Sequence, residues 1–370
     1  MRPSWVEVDL DAIRSNVAGF VAFVAPAELW AVVKADGYGH GDVPVAMAAA
    51  ESGASGLCVA LVEEGIRLRE AGLDLPILLL SEPDPEDAAE VLAWRLTPTV
   101  YRHATLEVLR AAGEVVTGIA IKVDTGMHRV GATSDQAVEL ARRAVQLGVT
   151  IDSVWTHFAV AETDDPFTEE QTRRFDQACR AIEATGVAGF KRHLSNTAGT
   201  LLHPGSRGDL VRVGLGLYGL LPSPPCAELI EVTPAMRVVS HISYLQRLPA
   251  GSRPSYGRRR PLTIESTVAT VPIGYADGVP RLLSNRNGEV LIGGRRFPLA
   301  GTVTMDQILV DIGDADVRVG DEVVLLGTQG GSEIRADEWA EKTDTISYEI
   351  VCGIGPRLPR RYVGGEMGRP

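Results

Sequence analysis

Short apolar runs alternate along the first two-thirds of the chain with longer stretches whose apolar residues recur at helical spacing. The runs fall at 29–33, 56–59, 77–80, 97–100, 119–123, 151–155, 192–194 and 210–213. Runs this short, bounded by Gly, Pro or polar residues, predict buried strands. Between them, 61–71 (LVEEGIRLREA), 134–147 and 168–184 carry helical periodicity, and an earlier helix is predicted from a cap at Asp9 through Ile13, Val17, Phe20, Val21 and Val24. Eight strand-then-helix units predict a (β/α)8 barrel of the TIM type. A doubly wound open sheet is the alternative, but no G-x-G-x-x-G follows the first strand.

The pattern changes at 221–226, LPSPPC, a Pro-rich linker. Beyond it the runs 238–245, 267–273, 289–292, 303–310 and 322–326 are rich in β-branched residues, Gly293-Gly294 signals a hairpin, and helical stretches fall near 336–342 and 347–352. The fold class is therefore α/β: an N-terminal barrel over residues 1–225 and a mostly β domain over 226–370. The strand-like segment 5–8 is expected to pair with the β domain.

Composition narrows the function class. Of 370 residues, 45% are hydrophobic and 23% charged, as in ordinary globular proteins. A formal net charge of -12 argues against nucleic-acid partners and anionic membranes. The four cysteines (Cys58, Cys179, Cys226, Cys352) lie far apart with no C-x-x-C, so reduced thiols are expected and no metal site. Acidic residues Glu7, Asp9 and Asp11 stand where a signal peptide needs an apolar core, and no apolar stretch is long enough to span a bilayer, so a cytoplasmic location is expected.

Candidate chemistry collects where a barrel keeps it, at the C-terminal ends of the strands. Lys34 ends the first run in AVVKADGYGHG; Lys122, Asp124 and Arg129 follow the fifth in KVDTGMHRVG; His157 ends the sixth; Asn196 and Thr197 follow the seventh in SNTAG; Arg212 ends the eighth, before Gly214 and Leu215 in RVGLGLYG. Each has a plain structural explanation: a lysine snorkelling to water, a surface ion pair, a core histidine, packing glycines. Five strands giving polar groups to one rim outweigh those separate explanations. A lysine among apolar neighbours loses part of its preference for the charged form, which suits Schiff-base chemistry. Small residues with backbone N–H groups after strands seven and eight suit a phosphate. Together they suggest pyridoxal 5′-phosphate. An arginine does not readily give up a proton. Arg212 beside the pyridine ring would keep its nitrogen unprotonated and favour an enzyme that only moves a proton.

With these residues in hand, the chain resembles the alanine racemase family of pyridoxal-phosphate enzymes of fold type III. The likeness covers nearly the whole length through AVVKADGYGHG, KVDTGMHRVG, THFAVAE, SNTAG, RVGLGLYG, PSYG, PIGYADG, TVTMDQ and SYEIVCGIGPRLPR, in family order. It implies interconversion of L- and D-alanine, with Lys34 carrying the cofactor as a Schiff base and acting as the base on one face of the substrate Cα. Tyr256, from the other subunit of a homodimer with shared active sites, would act on the opposite face. His157 and Arg212 resemble the pair that lowers the tyrosine pKa. Tyr38, Thr197, Gly214, Leu215 and Tyr348 resemble phosphate contacts, with Asn196 beside them. Arg129 resembles the partner of the cofactor phenolic oxygen and of the substrate carboxylate, with Met305 as a second carboxylate anchor. Tyr275 and Tyr348 would narrow the entrance, and Lys122 matches a lysine that is carbamylated in some members. The role implied is supply of D-alanine for peptidoglycan.

Four positions depart from the family pattern: Thr197 for serine, Thr304 for a common cysteine, Ser81 for glycine and Pro254 for valine. None removes a catalytic group. Three other readings share parts of the pattern. A non-catalytic pyridoxal-phosphate-binding protein would resemble the barrel alone. A decarboxylase of the same fold type would place a carboxylate where Arg212 stands. A broader-specificity racemase for small amino acids would differ only in substrate range.

Overall fold

The computed structural model describes residues 2–115, 117–163 and 165–365. The chain divides into two compact units: one holds Ala12–Gly37 and Gly41–Thr233, the other the residues before Ala12, Tyr38–His40 and those after Thr233.

The first unit contains eight parallel strands: β2 (Glu28–Val32), β3 (Gly56–Val59), β4 (Ile77–Leu79), β5 (Thr99–Val100), β6 (Ile119–Lys122), β7 (Ile151–Trp155), β8 (Lys191–His193) and β9 (Leu210–Val213), numbered after β1 (Trp5–Asp9) of the other unit. They form two four-stranded sheets, β4-β3-β2-β9 and β5-β6-β7-β8. Backbone bonds close both seams. Thr97 donates to Ile77 and accepts from Leu79 at 2.8 and 3.0 Å, and Asp209 and Arg212 donate to Arg192 and Ser195 at 2.9 and 3.0 Å. The closed ring is the expected barrel. Its strands are buried along almost their whole length, which explains why they read as unbroken apolar runs. Helices cover the outside with one apolar stripe each. In Ser134–Gln146 that stripe is Ala137, Leu140, Ala141 and Ala144, and the helix is started by a reciprocal Thr133–Gln136 capping box. The unit extends past the Pro-rich linker to Thr233, eight residues beyond the boundary expected at 225. The reason is local: Cys226 is buried, and Asn16 both donates to the Thr233 carbonyl (2.9 Å) and accepts from its N–H (2.8 Å).

The second unit is mainly β, with strands β10 (Met236–His241), β11 (Tyr244–Leu248), β12 (Ser266–Val271), β13 (Glu289–Ile292), β14 (Arg295–Pro298), β15 (Ile308–Gly313), β16 (Glu322–Gln329), β17 (Ser332–Ile334) and β18 (Arg360–Val363). One sheet runs β14-β13-β16-β10-β1-β18, with β17 beside β16; a second runs β11-β12-β15. Segment 5–8 thus lies within β1, antiparallel to β10 and parallel to β18. Gly293 and Gly294, both at positive φ, turn the β13–β14 hairpin. The run expected at 238–245 is two strands in different sheets. The chain changes sheet where Ile242 donates to Asp321 and Ser243 to Thr270. The run expected at 303–310 begins as a strand only at Ile308, because the Thr304 hydroxyl closes a turn with the Gln307 carbonyl at 2.8 Å.

No helix among the described residues is long and apolar enough to cross a membrane.

Candidate active site

Trp155 ends β7 with its ring 1% exposed, stacked on His193 at 5.8 Å and donating to Thr99 Oγ1. Two cations lie against its π-face: Lys122 Nζ is 4.3 Å and Arg212 Cζ 4.7 Å from the ring centroid. Arg212 is itself buried. Its Nη1 donates to His193 Nδ1 (2.6 Å) and its Nη2 to the carbonyls of Thr156 (2.8 Å) and Leu194 (3.0 Å). A guanidinium only donates, so His193 is neutral with its proton on Nε2. Burial brings the Arg212 pKa down to about 10, which leaves it cationic at neutral pH. Among the described residues the Arg212 Nε–H has no acceptor.

Lys34 follows β2 by two residues and opens a left-handed turn, with Ala35, Asp36, Gly37 and Tyr38 at φ of 55, 53, 57 and 52°. Residues other than glycine pay roughly 1–2 kcal/mol each in this region, so the turn needs external support. Gly37 donates to Val33 (2.9 Å) and Gly41 to Asp36 (2.8 Å). At Gly37 an added Cβ would also press within 3.2 Å of the Asp42 backbone, so glycine is needed there twice over.

The loop after β6 carries Lys122 and Arg129. Asp124 Oδ1 accepts from the N–H of Gly126 and His128, both at 3.0 Å. Burial alone would raise the Asp124 pKa; those donors outweigh it and keep the carboxylate ionised. Burial first, then the charges of Arg129 and Arg212, lower the Lys122 pKa to about 7. His157 is pushed well below its usual value by desolvation and then by Arg212, Arg129, Lys122 and Lys34, so it stays neutral. The rim therefore holds a strongly positive field around an uncharged imidazole.

Those neutral histidines set a stability trend. His193 is likewise held well below its usual pKa, first by burial and then by Arg212. Below pH 6.5 the unfolded chain binds protons that the folded state refuses, so stability falls as pH falls. The slope is about 1.4 kcal/mol per pH unit for each histidine. Urea unfolding midpoints should drop between pH 7 and pH 5; equal midpoints would show that these rings are not held neutral.

After β8 and β9, Asn196 caps the helix Thr197–Leu202 through Oδ1 to the Gly199 N–H (2.9 Å), and the Thr197 Oγ1 accepts from the Gly214 N–H (3.1 Å). Asn196 thus shapes the loop, and the Gly214 N–H is spent on Thr197, leaving the hydroxyl proton of Thr197 to donate. The 3₁₀ turn Leu215–Tyr218 begins here; the first N–H groups of such a turn have no partner within it.

The second unit holds the remaining residues. The rings of Tyr38 and Tyr348 lie 6.0 Å apart. Tyr275 and Met305 sit on loops laced together by Tyr275 N–H to Thr304 O (2.9 Å) and Ala276 N–H to Met305 O (3.1 Å). Gly274 permits this approach: a Cβ there would lie 2.3 Å from the Thr304 carbonyl. Buried Asp277 fixes the same turn, accepting from Gly274 N–H and from both Arg2 Nη groups. Tyr256 is 73% exposed, yet its backbone is braced. Ser255, at φ 66°, donates to the Thr302 carbonyl (2.6 Å), and Thr302 donates to the Tyr256 carbonyl (2.8 Å).

The family model described as "Alanine racemase, N-terminal domain" matches residues 8–222, and "Alanine racemase, C-terminal domain" matches 235–362. The chain belongs to the alanine racemase family. It is 45% identical to the alanine racemase of Symbiobacterium thermophilum over 99% of this chain and 98% of the relative, and 43% identical to that of a Nostoc species over 96% and 95%. Among solved structures, the alanine racemase of D-cycloserine-producing Streptomyces lavendulae superposes with a TM-score of 0.93 at 38% identity, covering 99% and 98% of the two chains. The alanine racemase of Bacillus anthracis with bound L-Ala-P gives 0.91 at 34%, covering 98% and 96%. Membership makes the chain an isomerase and pyridoxal 5′-phosphate its cofactor. The donor set fits that group. Lys34 offers an amine for the aldehyde, the unspent Arg212 Nε–H suits an unprotonated ring nitrogen, and the Thr197 hydroxyl with the turn after Gly214 suits the phosphate.

Sequence reasoning missed three supports of the site: His193, Trp155 and Glu64. The signal for His193 was an imidazole at a strand end, two residues before SNTAG.

Proposed function

We propose that the chain interconverts L- and D-alanine by a two-base mechanism, with Lys34 on one face of the substrate Cα and Tyr256 of the partner subunit on the other. Bound pyridoxal phosphate would supply the electron withdrawal that makes the Cα proton acidic. Lys34 takes or returns that proton on its face. Tyr256 does the same on the opposite face, and removal on one side with return on the other inverts the centre. A free phenol ionises near pH 10. A rim of cations around a neutral His157 attracts an anion, and that attraction favours phenolate there. Arg129 and the Met305 backbone would hold the substrate carboxylate, and Tyr38, Thr197, Leu215 and Tyr348 the cofactor phosphate, with Asn196 and the Gly214 N–H fixing their loop. Tyr275 and Tyr348 would restrict the side chain to about a methyl group. The observation that carries the reading is the positive rim, with Lys34 and neutral His157 in one field. Purified protein loaded with cofactor should take L-alanine to zero optical rotation. Persistent rotation at high enzyme concentration would refute it.

Lys122 has a further part in this reading. A lysine with a pKa near 7 exposes a substantial fraction of free amine at neutral pH. Attack on carbon dioxide would release a proton and leave a carbamate, an anion beside Arg129 that would orient its guanidinium. ¹³C-labelled bicarbonate should give a carbamate resonance that Lys122→Arg abolishes. The signal should strengthen above pH 7, where more of the amine is neutral; its absence at pH 8 would remove this role.

The braced, exposed Tyr256 turn supports a homodimer with shared sites, and free cysteines with an acidic surface suit the cytoplasm. D-Alanine for peptidoglycan would be the product's use.

A further inference from the structure

Glu64 stands in the first turn of the helix Val62–Glu70, and it is only 5% exposed. A carboxylate so buried must find donors, and it finds three in the backbone. Oε2 accepts from the N–H groups of Ala60 (2.8 Å) and Leu61 (3.1 Å), capping its own helix. Oε1 reaches to a different strand-to-helix connection and accepts from the Ala35 N–H at 2.7 Å. Ala35 directly follows Lys34 and begins the left-handed turn.

The same helix also reaches the second residue of that turn. Arg67 pairs with buried Asp42 at 2.6 Å, and the Asp42 N–H donates to Asp36 Oδ1 at 3.2 Å. One helix therefore holds two consecutive residues of a backbone conformation that side chains other than glycine resist, Ala35 directly and Asp36 through Asp42.

We propose that Glu64 is a positioning residue for racemisation: its Oε1 fixes the peptide after Lys34, so that the amine reaches the substrate carbon in a single orientation. This rests on the role given to Lys34 above. The chemistry requires a carboxylate of glutamate length. Two oxygens serve donors on two separate segments. Glutamine has one acceptor oxygen, which two N–H groups draw toward the helix cap, leaving an NH2 facing the Ala35 N–H. Aspartate is one methylene too short to serve both segments.

The test uses the full-length protein with Glu64→Gln, read by amide hydrogen exchange without cofactor and by kinetics with it. Exchange over 33–41 should accelerate at least tenfold while 62–70 stays within twofold, and kcat should fall at least tenfold with KM for alanine within threefold. Unchanged exchange over 33–41, equal acceleration of both segments, or unchanged kcat would each reduce Glu64 to a helix cap and overturn the proposal. Should Glu64→Gln fail to fold, Glu64→Asp keeps a carboxylate at the helix start and carries the same expectations. Lys34→Ala run alongside separates the two ideas: its retained activity would sink the role of Lys34, whereas the exchange pattern judges Glu64 by itself.

Discussion

Lys34→Ala is expected to lower racemisation by about 10⁴-fold or more, since it removes both the covalent anchor and one of two proton carriers. The visible absorbance of bound cofactor should disappear with it. The fold should survive: Lys34 is half-buried, and the turn behind it is held by backbone bonds and by Glu64 rather than by the lysine chain. Its charge also opposes protonation of Lys122 and His157. Removing it relieves repulsion between like charges, so the melting temperature should stay level or rise. The Lys122 amine should likewise titrate above its present value of about 7. These readouts separate loss of a reacting group from collapse of the rim. Wild-type turnover in the variant would discard Lys34 as the reacting amine.

The barrel was legible because strands buried on both faces write themselves as unbroken apolar runs. The expected and observed limits at 56–59, 151–155 and 210–213 coincide. The β domain was less so. Its edge strands β14 and β18 carry Arg295, Arg296, Arg360 and Arg361, charges that hide the strands from an apolar search. The candidate residues at strand ends are visible in the sequence as polar groups out of place. Their supports are not, because support is a matter of tertiary reach. Glu63-Glu64 reads as an ordinary acidic first turn, and only the fold brings one of those carboxylates to Ala35. Asn196, expected among the cofactor contacts, has a structural part as well: its Oδ1 caps the helix Thr197–Leu202.

Tyr256→Phe should retain the cofactor spectrum and fold, because the ring is exposed and the turn is braced through Ser255 and Thr302 rather than through the hydroxyl. Turnover should fall about 10³-fold, within the range for loss of a positioned acid–base group, and the loss should be most visible starting from L-alanine. Equal, unimpaired rates from both enantiomers would refute a basic role. The sharper experiment mixes two inactive proteins, Lys34→Ala and Tyr256→Phe, under conditions where subunits exchange. In a two-fold symmetric dimer with shared sites, each mixed dimer has one site missing both groups and one with Lys34 and Tyr256 intact. Random mixing in equal amounts makes half of all dimers mixed, so about a quarter of wild-type activity should return. Sites built from a single chain would instead give no recovery, because every chain present lacks one of the two bases. Exchange demonstrated by mass spectrometry without any return of activity would therefore assign Tyr256 to its own subunit or to no catalytic role.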